Sequence, residues 1–149
     1  MYSLYLHIPF CRQACHYCDF HFSTTLKRKP LLVNALCKEL ELRKTEATMP
    51  LQTVYLGGGT PSIFSFQELQ QLFHTIFTHY KVSPTAEITL EANPDDFFRD
   101  SSPQQILEQL RSLGINRLSL GVQSFFEEDL RLMNRVHSVA QVETLLQIA

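Results

Sequence analysis

Four times along the chain a short apolar segment is followed by a helical pattern, and that alternation leaves few folds open. Tyr2 to Ile8, Thr53 to Leu56, Glu87 to Glu91 and Arg117 to Gly121 read as strands. Helix start signals lie between them. Pro30 suits a first helical position before LLVNALCKELELRK, where Leu32, Leu36 and Leu40 recur every four residues. Ser65 with Glu68 forms a capping-box pattern ahead of a stripe of Leu69, Leu72, Phe73, Ile76, Phe77 and Tyr80. Ser102, Pro103 and Gln105 repeat that start, and Gly114 is placed to close the helix in a left-handed conformation. Ser138 and Gln141 open a last helix. Nearly continuous apolar strands joined through helices predict an α/β fold, a parallel sheet with helices outside.

The chain has 149 residues, 44% hydrophobic and 19% charged, which suits a packed core in one domain. Its last helix has a cap but no stop signal, and four parallel strands leave an edge to cover. Either that helix covers the edge, or residues 1–149 are the N-terminal portion of a larger domain. Net charge is −2, which gives no footprint for nucleic acid or an anionic membrane. No apolar run reaches the ~20 residues of a transmembrane helix, and Met1 to Phe10 lacks the marks of a signal peptide. A soluble cytoplasmic protein is expected. The basic run Lys27, Arg28 and Lys29 reads as a solvated loop.

Three of the four cysteines, Cys11, Cys15 and Cys18, make a C-x3-C-x2-C pattern directly after the first strand. Such clustering points to soft-metal ligation rather than to a disulfide framework. Three thiolates on one loop suit an iron–sulfur cubane with one iron left open. They also suit a Cys3His zinc site, for which His7, His16 or His21 is a fourth ligand. Cys37 lies in a helix pattern, offset from its leucines, and reads as a small packed residue.

The remaining motifs fall at the carboxyl ends of the strands, where α/β folds gather ligands. Gly57, Gly58 and Gly59 end the second strand, Glu91 ends the third, and Gln123 follows the fourth. Glycines let a backbone approach a ligand closely, although a tight turn also uses them. Glu91 needs a partner, either a ligand hydroxyl or ammonium or an arginine such as Arg117. Asp95 and Asp96 read as solvated turn residues.

The string YLHIPFCRQACHYCDF, followed in order by GGGTPS, EANPDD and RLSLGVQSF, resembles the oxygen-independent coproporphyrinogen III oxidase family of radical S-adenosylmethionine (SAM) proteins. The resemblance covers nearly the whole chain. It implies the front of a partial (β/α)6 TIM-like barrel, with a [4Fe-4S] cluster on Cys11, Cys15 and Cys18. Gly58, Gly59 and Thr60 would then receive the amino group of SAM. Glu91, Gln123, Arg135 and the aromatic Tyr5 match further SAM-contacting positions. Arg135 also reads as a surface arginine, Tyr5 as core, and His7 has a family counterpart of unassigned role. Family oxidases carry another cysteine two positions beyond the third ligand, where this chain has Phe20 after Asp19. That difference resembles the heme-chaperone (HemW-type) branch. Heme or a porphyrinogen, an electron donor and a heme-acceptor protein are the partners this implies. A heme-binding motif is expected in a region this sequence does not contain.

Overall fold

Tyr2–Ile8 forms β1 with the bounds its pattern predicts. The computed structural model describes residues 2–99 and 101–149. In it β2 spans Leu51–Gly58, β3 Val82–Ala92 and β4 Arg117–Leu120. The helices are α1 (Lys29–Arg43), α2 (Phe66–His79), α3 (Pro103–Ser112), α4 (Glu127–Leu132) and α5 (Val139–Ile148). The strands pair in the order β1-β2-β3-β4, all parallel, as the alternation requires. β3 starts earlier than expected. Its residues 83–86 bulge between the Leu51–Val82 and Thr53–Glu87 pairs, so Pro84 withholds no ladder hydrogen bond there.

All three serine capping boxes are present, at Ser65/Glu68, Ser102/Gln105 and Ser138/Gln141. Gly114 closes α3 at φ +90°, and Asn116 then stitches β3 by accepting from the Ile88 amide at 2.8 Å and donating to the Ala86 carbonyl at 2.8 Å. Lys27 and Arg28 of the basic run are exposed, as expected, but Lys29 is not. Leu26–Arg28 is a 3-10 turn and Lys29 opens α1. The Lys29 ammonium donates to the Ile63 carbonyl and lies 3.0 Å from Glu68, tying α1 to the start of α2.

Side chains alternate between the two faces of each strand, and the strands are not the nearly continuous apolar segments expected. Leu6, Ile8, Val54, Leu56, Ile88 and Leu90 are buried in one core with Val33 and Leu40 of α1, Leu69, Leu72, Phe73 and Ile76 of α2, and Leu107 and Leu110 of α3. Each fully buried side chain of this size contributes roughly 1.5–3 kcal/mol. The opposite face carries a polar row. Register aligns Tyr5, Tyr55, Thr89 and Arg117 across the four strands, and pairs His7 with Gly57 and Glu91 with Ser119. The strands are therefore half apolar, with helices over one face. α5 packs on α3 and on the 3-10 turn Pro94–Phe98 that follows β3. Among the described residues no helix is long and apolar enough to cross a membrane.

Candidate cofactor site

The cysteine loop leaves β1 and is closed at its base by two backbone bonds. Ser23 donates to the Pro9 carbonyl at 2.9 Å, and Cys11 donates to the Ser23 carbonyl at 3.1 Å. Its far side is clasped to the residues after α4. Gln13 Nε2 donates to Asn134 Oδ1 at 2.6 Å, Asn134 Nδ2 donates to the Ala14 carbonyl at 2.7 Å, and the His16 amide donates to the Met133 carbonyl at 3.2 Å. Asn134 adopts φ +58°, a left-handed conformation that asparagine tolerates better than most residues. The three thiols are thus held between two distant parts of the chain.

The glycine turn seats against this loop. Gly59 donates to the Ile8 carbonyl at 2.8 Å and Thr60 to the Phe10 carbonyl at 2.7 Å. A Cβ on Gly59 would stand 2.5 Å from the Phe10 carbonyl oxygen and 3.0 Å from Cys11 Sγ, so only glycine fits this approach. Gly58 has φ +118°, which disfavours any L side chain. Its amide donates to Glu91 Oε2 at 3.0 Å, and Tyr55 donates its hydroxyl to Glu91 Oε1 at 2.7 Å. Glu91 therefore finds its partners within the rim, while Arg117 pairs at 3.3 Å with Glu87 instead. The Glu91 bond, together with burial, pushes the Tyr55 hydroxyl up, which keeps it a donor.

Gln123 sits at φ +69° beyond β4. Arg135 is not a surface arginine: Nη1 donates to Cys15 Sγ at 3.3 Å, and Nη2 to Asn93 Oδ1 at 2.7 Å and to the Gly121 carbonyl at 2.6 Å. Thr60 directs its hydroxyl at Cys11 Sγ, 3.5 Å away. Burial pushes the Cys11 thiol up, and the Thr60 hydroxyl opposes that shift.

One pocket of about 310 Å³ is lined by all three cysteines together with Gly58, Gly59, Thr60, Glu91, Gln123 and Arg135. That volume lies in the range of small-ligand sites, roughly 300–1,000 Å³. Tyr17, Phe20 and Phe22 add apolar walls. Tyr5 lies outside this lining: it is 55% exposed on β1, stacked on Tyr55 at 5.9 Å and linked through it to Glu91. His7 bonds to the Tyr5 hydroxyl and His16 to the Leu132 carbonyl, and neither they nor His21 line the pocket. Among the described residues no three His, Cys, Asp or Glu side chains close around a single ion. A structural zinc site needs four donors at about 2.0–2.3 Å from one point. Three thiols spread around a pocket suit a polynuclear iron–sulfur cluster instead, where each thiolate binds its own iron.

Asp95 and Asp96 are not solvated. They lie in the 3-10 turn after β3, where Asp95 pairs with Arg99. The Asp96 side chain is 3% exposed, pairing with Arg12 of the cysteine loop at 2.8 Å and accepting from Ser62 Oγ at 2.6 Å. Asn93 and His137 were not singled out by sequence, although EANPDD and the R-x-H pattern at 135–137 held them. His137 is 2% exposed and donates Nε2–H to the Val122 carbonyl at 3.0 Å, bracing the turn that carries Gln123. Its Nδ1 has no partner among the described residues.

Burial, with the Arg135 charge adding, pushes the His137 imidazole below its ordinary value. The folded chain then binds fewer protons than the unfolded chain at mildly acid pH. The contribution to stability is complete above the ordinary histidine value of about 6.5 and is lost as pH falls below it. Denaturant unfolding from pH 8 to pH 5 is expected to show His137→Gln losing less stability than wild type over that range. Parallel curves for the two proteins would refute this assignment.

Three thiols, a glycine turn and an acid gather on the carboxyl rim of the parallel sheet of an α/β protein, where such folds place their ligand sites. The chain belongs to the radical SAM superfamily, whose family model matches residues 5–149. It is 38% identical to the heme chaperone HemW of Synechocystis sp. over 97% of this chain and 35% of that protein. Identity is 33% to the oxygen-independent coproporphyrinogen III oxidase of Synechocystis sp., over 94% of this chain and 30% of that one. The solved coproporphyrinogen III oxidase of Escherichia coli superposes with a TM-score of 0.87 at 31% identity, over 99% of this chain and 33% of that one. The four parallel strands and flanking helices accord with part of a TIM-like barrel. The chain spans about a third of the length of these relatives.

Proposed function

We propose that residues 1–149 are the N-terminal portion of the radical SAM core of a cytoplasmic heme chaperone. Cys11, Cys15 and Cys18 hold a [4Fe-4S] cluster, and SAM lies against Gly58, Gly59, Thr60, Glu91, Gln123 and Arg135, with Tyr5 beside it. The observation that carries the cofactor reading is the lining of one pocket by three thiols, the glycine turn and Glu91. Bound together, cluster and SAM supply one-electron reductive chemistry. The chain's own residues orient and shield. The Glu91 carboxylate, held by Tyr55 and the Gly58 amide, accepts from a hydroxyl or an ammonium. Arg135 brings positive charge beside an anion. Tyr17, Phe20 and Phe22 give the pocket apolar walls beside the thiols.

The chaperone branch is supported by Asp19 and Phe20 after the third cysteine and by relatives named as heme chaperones. In this reading the full-length protein binds heme and passes it to an acceptor protein, with an electron donor serving the cluster. The likeness to coproporphyrinogen III oxidases supports a second reading, an oxidase of porphyrin synthesis. The full-length protein, reconstituted anaerobically with iron and sulfide, separates the two. Stoichiometric heme binding without turnover of coproporphyrinogen is the expected result, and efficient conversion to protoporphyrinogen would establish the oxidase instead.

A further inference from the structure

One Asn93 side chain is linked to two of the three thiols, through Thr60 to Cys11 and through Arg135 to Cys15. Its Nδ2–H donates to Thr60 Oγ1 at 3.4 Å, which occupies a lone pair of that hydroxyl and leaves its hydrogen for Cys11 Sγ at 3.5 Å. Its Oδ1 accepts from Arg135 Nη2 at 2.7 Å, which holds the guanidinium with Nη1 aimed at Cys15 Sγ at 3.3 Å. The Asn93 backbone is fixed in turn, its amide donating to Ser62 Oγ at 3.2 Å while that hydroxyl is bound to Asp96. An amide can do this and an acid cannot, because one end must donate while the other accepts.

We infer that Asn93 is a positioning residue that aims one hydrogen-bond donor at each of two ligand thiolates and thereby sets the reduction potential of the cluster. The inference rests on the reading of Cys11, Cys15 and Cys18 as cluster ligands. Reduction adds negative charge that spreads onto the thiolate sulfurs, so donors on those sulfurs stabilise the reduced state more than the oxidised one. Loss of Asn93 leaves the Thr60 hydroxyl free to rotate and leaves the Gly121 carbonyl as the one partner that anchors Arg135 apart from the Cys15 thiol itself.

The test is a redox titration of the reconstituted full-length protein without SAM, followed by electron paramagnetic resonance, on wild type, Asn93→Ala and Thr60→Val. Iron is counted in each sample. Both variants are expected to lower the ratio of reduced to oxidised cluster at fixed potential about tenfold, a downward shift of about 59 mV for one electron. Thr60→Val keeps the shape of the side chain, so it decides the matter if Asn93→Ala fails to hold iron. Wild-type potentials in the iron-loaded variants would overturn the Asn93 assignment alone. Altered iron content with unchanged potential would also overturn it. A wild-type protein that takes up no iron would overturn the cluster reading, and this inference with it.

Discussion

Cys15→Ser is expected to leave the anaerobically reconstituted protein with almost no cluster iron, while the apo protein melts within about 2 °C of wild type. A serine hydroxyl stays protonated near neutral pH and is a hard, poor ligand for iron, so one of three anchors is lost. The sulfur also accepts from Arg135, a bond that a serine oxygen can take over. The loop is held by Ser23 at its base and by Asn134 on its far side, through bonds that do not involve the Cys15 thiol. The hydrophobic core lies on the other face of the sheet, under α1, α2 and α3. Bound iron per chain and the visible absorbance of the cluster check the first half, and circular dichroism melting checks the second. Full iron occupancy in the variant would show that Cys15 is no ligand. A collapsed melting transition would show that the loop carries fold stability as well.

The frame of the fold could be read from local signals because its start and stop devices are short and self-contained. Each serine capping box needs only a residue and its third neighbour, and all three stand where the sequence places them. Gly114 works in the same way. α4 was harder to see, since six residues give too little periodicity. Its signal is the acidic run Glu127, Glu128 and Asp129 in the first turn, which favours the positive end of a helix. Face assignment failed for a different reason. Leu4, Leu6 and Ile8 share one face of β1, and Tyr5 between them also reads as core, yet it is 55% exposed in a polar row that only cross-strand register discloses.

The site was legible wherever a motif is contiguous. Cys11, Cys15, Cys18, Gly58, Gly59 and Thr60 sit in two strings, and the structure places both strings on one pocket. The chemistry between strings was not legible. Asp96 reads as a turn acid because its partner Arg12 lies 84 positions away, and Asn93 meets Arg135 across 42. A carboxylate buried to that degree is tolerated because Arg12 and Ser62 satisfy it, and neither partner is close in sequence. Local propensity therefore locates the rim loops, and long-range pairing decides how they are joined.

Gly59→Ala is expected to damage both the fold and the cysteine loop. The residue has no unusual φ, so the cost comes from contact rather than from backbone preference. An added Cβ meets the Phe10 carbonyl oxygen at 2.5 Å and its carbon at 2.9 Å, and backbone cannot rotate aside as a side chain does. Relief requires moving the glycine turn away from β1, which stretches the bonds from Gly59 to Ile8 and from Thr60 to Phe10. It also carries Thr60 away from Cys11. Overpacking of this kind costs roughly 1–3 kcal/mol, which lowers the melting point by about 3–10 °C in a chain of this size. Cluster iron should fall with it, because the displaced backbone belongs to the first ligand's own loop. Gly114→Ala is the matched control. There the Cβ meets nothing nearer than 3.5 Å, and the strain lies in φ +90°, far from the thiols. That variant should lose stability, by roughly 1 kcal/mol, and keep its full iron. If both variants retain iron equally, the close approach of the glycine turn to Phe10 has no part in shaping the cluster loop.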